Sequence, residues 1–139
     1  METPLFRPPT TFYRVSLKAI IRDASGRVLV VKEGNDNNWG LPGGGWDHGE
    51  TEHEALAREL LEEVGFRGDF TSKIIATETF WLEHRESWLL WLVYKVTIDD
   101  LSTQAFSAGS DASEIAWMYP AEFASLTTGT ARWITGNLT

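Results

Sequence analysis

The sequence of 139 residues contains no cysteine. This absence excludes disulfide bonds, thiolate zinc sites and cysteine nucleophiles together. Basic side chains are also scarce, with 12 lysines and arginines against 20 acidic residues and a formal net charge of −8. A groove for long nucleic acid needs many cations to neutralise phosphates, so this balance argues against long DNA or RNA as a partner.

Long apolar runs are absent as well. The longest run, residues 88–94, is far shorter than the roughly 20 residues that a membrane-spanning helix needs. The first ten residues lack the basic and apolar pattern of a secretory signal. We therefore expect a cytoplasmic protein without membrane association, and its length predicts one domain over residues 1–139.

Hydrophobic periodicity predicts a mixed α+β domain. A strand at 13–21 and a second at 28–31, separated by a turn, are interpreted as a hairpin. The other predicted elements are a second hairpin formed by 74–82 and 88–98, an exposed loop at 102–113, a strand at 114–119 and a short helix at 120–126. The pattern of residues 132–139 is ambiguous.

One predicted helix has unusually clear ends. Thr51 can cap its amino terminus, with Glu54 completing a capping box, and Gly65 suits a left-handed carboxyl-terminal cap. Residues 47–63 carry seven acidic side chains opposed by Arg58 alone, so that −6 of the total charge of −8 lies in this segment.

The acidic side chains are not spread evenly around this helix. At 100° per residue, four glutamates share one face and four apolar residues form the opposite stripe, which we predict to pack against a sheet. The glutamates are Glu52, Glu59, Glu62 and Glu63, and the apolar residues are Ala57, Leu60, Leu61 and Val64.

This acidic face is either a solvated surface or a cation site. Like charges three and four residues apart repel, and Glu62 and Glu63 lie near the end of the helix whose dipole disfavours anions. Arg58, four residues after Glu54 and four before Glu62, offsets part of this charge. Carboxylates without cysteine or suitably spaced histidine favour a hard ion such as Mg²⁺ or Mn²⁺.

The glycine-rich loop before the helix does not fit the common phosphate-binding motifs. No Gly-Lys-Ser/Thr follows it, and His48 stands where a dinucleotide-binding loop needs its third glycine. His53 and Glu54 begin like a zinc-protease helix, but Ala57 occupies the position of the second histidine.

Loop and helix together resemble the Nudix box of the Nudix hydrolase family. The matching segment, residues 44–66, contains Gly44, five residues, Glu50, seven residues, and then Arg-Glu-Leu-Leu-Glu-Glu-Val-Gly-Phe at 58–66. Trp39, Leu41 and Pro42 are similar to the family's usual lead-in. The resemblance implies an α/β/α sandwich with a mixed β-sheet, in which the box forms a loop, helix and loop.

The resemblance also implies an activity: metal-dependent hydrolysis of the pyrophosphate bond of a nucleoside diphosphate linked to another group, as in a nucleoside triphosphate. The implied catalytic residues are Arg58, Glu59, Glu62 and Glu63. The implied ligands of Mg²⁺ or Mn²⁺ are Gly44, through a backbone carbonyl, with Glu50, Glu59, Glu62 and Glu63. The general base is a box glutamate or, as in some relatives, a residue on a later loop, here Asp111 or Glu114.

Substrate identity stays open at this point. Most of the tryptophans are expected to lie in the core, and at most one or two to stack on a base, the candidates being Trp39, Trp46, Trp81, Trp88 and Trp91. Lys18, Lys32 and Arg85 are candidate phosphate contacts. Two alternatives are a domain that binds nucleotides without cleaving them and an acidic helix that only contacts another protein. A homodimer is expected because relatives often dimerise.

Overall fold

The computed structural model describes residues 12–34, 38–127 and 131–138. The amino-terminal segment 1–10, to which the secretory-signal prediction refers, lies outside these ranges. The strands are β1 (Tyr13–Ile20), β2 (Val28–Lys32), β3 (Trp39–Gly40), β4 (Gly43–Gly45), β5 (Thr71–Leu82), β6 (Ser87–Thr97) and β7 (Glu114–Met118). The helices are α1 (Glu52–Val64), α2 (Pro120–Ser125) and α3 (Ala131–Leu138).

The strands form two sheets. The first has the order β4-β1-β6-β5 and is mixed, because β1 and β6 run parallel while the other pairs are antiparallel. The second has the order β3-β2-β7 and is antiparallel. The glycine strand β4 therefore lies at an edge, next to β1.

Alternate side chains of the strands face two separate cores. On one face Leu17 and Leu29 pack with residues of α1, and on the other Ile20 and Val30 pack with residues of α2 and α3. This two-sided burial follows from the period of two along a strand. The result is the predicted α+β architecture, with helices on both faces of the sheets. None of the helices among the described residues is long and apolar enough to cross a membrane.

The second predicted hairpin is confirmed, and the first is confirmed only next to its turn. β5 and β6 pair antiparallel across a short 3₁₀ turn. In contrast, β1 and β2 belong to different sheets, although a few bonds join the chain just beyond β1, such as Leu29 N to Ile21 O at 3.0 Å. The pairing stops after Arg22 and Val28, which form an isolated antiparallel bridge. Along the rest of their length β1 pairs with β4 and β6, and β2 pairs with β3 and β7.

The carboxyl-terminal elements agree with most of the predictions. The strand at 114–119 and the helix after Pro120 are confirmed as β7 and α2, and the ambiguous tail contains α3. The segment 102–113 is mostly irregular, as predicted, but it is not simply exposed. Backbone N–H groups from it reach the end of α1, with Asp111 N donating to Glu62 O at 2.8 Å.

Candidate active site

Helix α1 begins and ends where the sequence predicts. The Thr51 hydroxyl accepts a hydrogen bond from Glu54 N at 3.1 Å, which satisfies one free N–H of the first turn. Gly65 ends the helix in the left-handed conformation, with φ of 67°. Its N–H donates to Leu61 O at 3.2 Å. Local sequence chemistry therefore fixes the length of the helix and the spacing of its acids.

The buried face of α1 differs from the predicted apolar stripe. Leu60 and Val64 are buried as expected, but Ala57 and Leu61 are only half-buried. The buried face of the helix instead includes two glutamates: Glu59 is 6% exposed and Glu63 is 2% exposed. The other buried side chains of the helix are Ala55 and Leu56. Of the two interpretations of the acidic face, a solvated surface does not describe Glu59 and Glu63, whose side chains are buried in the protein.

Room for Glu59 comes from the glycine strand. A Cβ added to Gly44 would lie 2.7 Å from Glu59 Oε1 and 2.9 Å from Glu59 Cδ. Any side chain at position 44 would push this carboxylate away. Position 43 also requires glycine. Its φ is 138°, and a Cβ there would clash with the backbone of β1 at Lys18 Cα. Gly44 thus allows the Glu59 carboxylate to approach the backbone of β4, and Gly43 allows β4 to approach β1.

Arg58 gathers the carboxylates around it. Its guanidinium donates to Glu50 through Nε and Nη2, at 2.8 and 2.9 Å, and to Gly45 O at 2.9 Å. The Nη1 group donates to Glu59 at 2.8 Å and to Glu62 at 3.3 Å. The predicted pairing with Glu62 is confirmed, while Glu50 takes the place expected for Glu54. One planar cation with several donors thereby holds three acids of the box.

Glu63 is held in a different way. It accepts a hydrogen bond from Gly43 N at 2.7 Å, and the carboxyl of Glu33, just after β2, is close enough to act on its pKa. The Lys18 ammonium lies nearby and donates to Gly43 O at 3.3 Å. Burial raises the pKa of Glu63 to about 8, and the Glu33 contact adds to this, whereas Lys18 acts in the opposite direction.

The other ionisable groups of the cluster respond to burial and to Arg58. Burial raises the pKa of Glu59, against the opposing effect of Arg58. The Arg58 hydrogen bond lowers the pKa of Glu50. In return, the hydrogen bond to Glu50, followed by the contacts with Glu59, raises the pKa of Arg58, so the arginine stays charged.

Glu52, the fourth acid of the predicted face, lies apart from this cluster. It accepts a hydrogen bond from the Tyr94 hydroxyl. Burial, followed by the Glu52 contact, raises the pKa of Tyr94. Glu52 therefore packs against the sheet, and only Glu59, Glu62 and Glu63 of the predicted face join Glu50 around the glycine strand.

The donor set fits a hard divalent cation. It consists of carboxylate oxygens and the backbone of a side-chain-free strand, the ligand type that Mg²⁺ and Mn²⁺ prefer. The space beside Gly44, which a Cβ would fill, brings Glu59 next to that backbone. Within the described ranges no three acidic or imidazole side chains already surround one ion-sized point. Arg58 and Gly43 hold the carboxylates instead, so binding of a cation requires side-chain rotation.

The two later-loop candidates for a general base differ in position. Asp111 lies beside the end of α1, where its backbone N–H contacts Glu62 O. Glu114 forms an ion pair with Lys32 at 3.0 Å. This pair engages Lys32, whose ammonium also lies 5.6 Å from the centre of the Trp39 ring.

The tryptophans divide into core and surface residues. Trp91 is buried and contacts Phe80 and Trp133, so it belongs to the core, with Lys18 5.7 Å from its ring centre. Trp81 and Trp88 are exposed on β5 and β6, near the turn that contains Arg85.

Trp46 contacts the Arg58 cluster through the backbone of Glu50. Its indole N–H donates to Glu50 O at 2.9 Å.

Two further residues near the glutamates had little or no signal in the sequence. Glu33 was missed because it is an isolated acid after a strand, and Lys18 was one of three candidate phosphate contacts. Only the pairing of β1 with β4, and the position of β2, bring them to Glu63.

Solved structures with this fold support the architecture. The MutT protein from Methanosarcina mazei Go1 aligns with a TM-score of 0.74 over 93% of this chain and 95% of that chain, at 21% identity. The dihydroneopterin triphosphate pyrophosphohydrolase of E. coli aligns with a TM-score of 0.72 over 91% of this chain and 97% of that chain, at 19% identity. At these identities the similarity shows the fold.

Curated relatives match a shorter region. An RNA pyrophosphohydrolase of Shewanella piezotolerans is 38% identical over 73 residues, 52% of this chain and 42% of the relative. The protein of the same name from Tolumonas auensis is 37% identical over 73 residues, 52% of this chain and 41% of the relative. The chain thus covers less than half the length of these relatives. The family model of the NUDIX domain matches residues 12–135, and the chain belongs to the NUDIX domain family.

Proposed function

We propose that this chain is a divalent-metal-dependent hydrolase that cleaves the pyrophosphate bond of a nucleoside diphosphate linked to another group, such as a nucleoside triphosphate or a nucleotide derivative. The observation that carries the proposal is the set of carboxylates that Arg58 holds beside the side-chain-free Gly44. Gathered acids at the end of a helix cost stability. A role in holding a cation, and through it a polyphosphate, accounts for that cost.

The proposal assigns a role to each residue of the box. Arg58, Glu59, Glu62 and Glu63 form the catalytic set. The carbonyl of Gly44 and the side chains of Glu50, Glu59, Glu62 and Glu63 hold the metal, for which Mg²⁺ or Mn²⁺ is the expected ion because all donors are oxygens. Arg58 orients the acids, since its planar donors bind several of them at once.

The chemistry follows from charge and position. A bound divalent ion supplies positive charge that neutralises phosphate oxygens and favours in-line attack of water on phosphorus. A carboxylate of the chain accepts the proton of that water. Glu59, Glu62 and Glu63 are candidates for this base, and Asp111 is the candidate outside the box that lies against α1. Lys18, beside Gly43, is suited to contact a phosphate oxygen.

The comparisons support the reaction class. The chain belongs to the NUDIX domain family, and metal dependence is what the resemblance to the Nudix box implies. The curated relatives named above carry the name RNA pyrophosphohydrolase. This name makes a 5′-triphosphorylated RNA end one candidate substrate beside free nucleotides, although the charge of −8 disfavours contacts with a long RNA. One hydrolase domain over 1–139, a cytoplasmic location and a homodimer remain predictions.

The test is a hydrolysis screen with and without divalent metal. The panel contains nucleoside triphosphates, ADP-ribose, dinucleoside polyphosphates, nucleotide sugars and 5′-triphosphorylated RNA. We expect release of a phosphate-containing product from at least one member in Mg²⁺ or Mn²⁺ and none in chelator. Glu62→Gln should lower the rate strongly, whereas Glu54→Gln, an exposed residue of the same helix, should not. Equal rates for both variants, or activity without metal, would contradict the proposal.

A further inference from the structure

Helix α1 ends against a segment from elsewhere in the chain. Residues 107–111, between β6 and β7, are here called the helix clamp. Three backbone N–H groups of the clamp donate to carbonyl oxygens of the last turn of α1. The pairs are Ser107 N to Val64 O at 3.1 Å, Gly109 N to Glu63 O at 3.0 Å and Asp111 N to Glu62 O at 2.8 Å.

These bonds complete the hydrogen bonding of the helix end. A helix leaves its last four carbonyl groups without partners inside the helix. The cap itself satisfies two earlier carbonyls, through Gly65 N to Leu61 O and Phe66 N to Leu60 O, both at 3.2 Å. With the clamp in place, the carbonyls of residues 60–64 all accept bonds from protein N–H groups. The last turn is therefore fixed by a second segment of the chain.

Gly109 is the point of closest approach. A Cβ at this position would lie 2.6 Å from Glu62 C and 2.7 Å from Leu61 O. These are backbone atoms of the helix, which cannot move aside as a flexible side chain can. A larger residue at position 109 therefore has to push the clamp and the last turn apart.

The contact bears on the two glutamates at this end of the helix. The clamp bonds the backbone carbonyls of Glu62 and Glu63 themselves, so it fixes the atoms from which their side chains extend. Its N–H groups also bring partial positive charge to the negative end of the helix dipole, beside two acids that this end repels.

Resting on the proposed function, we propose that Gly109 is a positioning residue for the metal site. By allowing the clamp to close on α1, it sets the positions of the Glu62 and Glu63 carboxylates. Displacements of about 1 Å in a catalytic arrangement can cost roughly 10²-fold in rate. Loss of a supporting contact around a metal typically costs about 10- to 100-fold in affinity.

The test compares Gly109→Ala with Gly68→Ala. Position 68 lies near the same helix end, but a Cβ there would meet the Phe66 ring, at 2.9 and 3.0 Å, and not the backbone of α1. Calorimetric titration with Mn²⁺ should give a Kd about tenfold higher for Gly109→Ala. With the best substrate of the screen, kcat should fall by about tenfold and KM should stay constant. Gly68→Ala should leave all three values unchanged.

These readouts separate positioning from stability. A fraction of irreversibly misfolded protein lowers the apparent kcat and the binding stoichiometry but moves neither the Mn²⁺ Kd nor KM. A reversible loss of folding raises the apparent Kd by the inverse of the folded fraction, so circular dichroism must first show that the variant is fully folded. A folded Gly109→Ala protein with the Kd and kcat of the wild type would overturn the proposal. If the wild type itself neither binds Mn²⁺ nor hydrolyses any substrate, the proposed function fails, and that result is distinct from equal behaviour of variant and wild type.

A second measurement applies if Gly109→Ala does not fold. Amide hydrogen exchange of the wild type should be slow at Ser107, Gly109 and Asp111, whose N–H groups bond the helix, and faster at the intervening Ala108 and Ser110. Addition of Mn²⁺ should slow exchange at the three bonded positions further, because the metal holds the same helix end. Uniform exchange across the segment, or no response to the metal, would overturn the proposal.

Discussion

The acidic side chains in the first half of α1 (52–58) and in its second half (59–64) differ in their surroundings and in their effect on stability. In the first half, Glu52 and Glu54 lie where the helix dipole favours negative charge, and both are exposed. Thr51 caps the same turn. This half follows the rules of a stable helix, and its acids contact the sheet through the hydrogen bond that Glu52 accepts from Tyr94.

The second half breaks those rules. Glu59 and Glu63 are buried, and Glu62 and Glu63 lie at the end of the helix that disfavours anions. Their contacts come from outside the helix end: the Arg58 guanidinium one turn earlier and the Gly43 amide on β4. The comparison indicates that the acids of the second half lower the stability of the folded protein. A role in binding a cation explains why they are there.

The largest contrast is expected between Glu63→Gln and Glu54→Gln. Glu63→Gln should lower hydrolysis by about 10²- to 10³-fold, the scale of losing one electrostatic contact at a reacting centre. The same change should raise the Tm of the metal-free protein at neutral pH, because Glu63 must take up a proton or bury a charge on folding, whereas Gln is neutral and can still accept the Gly43 hydrogen bond. Glu54→Gln should leave hydrolysis unchanged and lower the Tm only slightly, because it removes a charge that the helix dipole favours. Kinetics and thermal unfolding in chelator check both, and a less stable Glu63→Gln protein would contradict this account.

Arg58 should matter more to stability than a surface arginine. Arg58→Ala leaves three carboxylates without their shared partner and should lower the free energy of unfolding by about 2 kcal/mol. Arg27→Ala breaks one ion pair, with Asp23, at a site where the arginine side chain is 43% exposed. That change should cost less than about 1 kcal/mol. Urea unfolding of the two variants measures the difference, and equal losses would remove the distinction between the cluster and an ordinary surface pair.

The stability of the metal-free protein should fall as the pH rises. Burial places the pKa of Glu63 at about 8 in the folded protein, against an ordinary value of 4.5. The folded state then binds the proton more tightly, so this stabilisation is complete below pH 4.5 and is lost as the pH rises through about 8. Urea unfolding in chelator between these values should show the decline, and Glu63→Gln should flatten it. A wild-type curve that matches the Glu63→Gln curve would contradict the assignment.

The smallest effect is expected at the amino-terminal cap. Thr51→Ala removes the hydrogen bond to Glu54 N and should cost about 1 kcal/mol of unfolding free energy. Hydrolysis per folded molecule should be unchanged, since the cap lies away from the second half of the helix. A loss of activity larger than the loss of folded protein would show that the two halves are coupled.

Local features of the site were predictable from the sequence. The limits of α1 follow from Thr51 and Gly65, whose cap chemistry involves neighbouring residues only. The spacing of the acids places them on one side of a helix, and the resemblance to a Nudix box suggested their role. The second hairpin follows from two β-rich segments separated by a short polar turn.

Non-local features were not predictable. Helical periodicity shows which residues share a face, but the choice of the buried face depends on what packs against it. Here the glycine strand leaves space for Glu59, so charged residues enter the interface. The first hairpin is short for the same reason, because β1 continues beside β6 and β2 beside β7, strands from distant segments of the chain. Glu33 and Lys18 reach Glu63 only through that arrangement.

The central claim is that the acids of the second half of α1 recruit phosphate through a divalent ion. The most direct measurement is calorimetric titration of the protein with a non-hydrolysable nucleoside triphosphate analogue, once in chelator and once in Mg²⁺. The account predicts weak or undetectable binding in chelator, where an acidic cluster faces a polyanion, and clear binding when the metal is restored. Equal affinity in both conditions would contradict it.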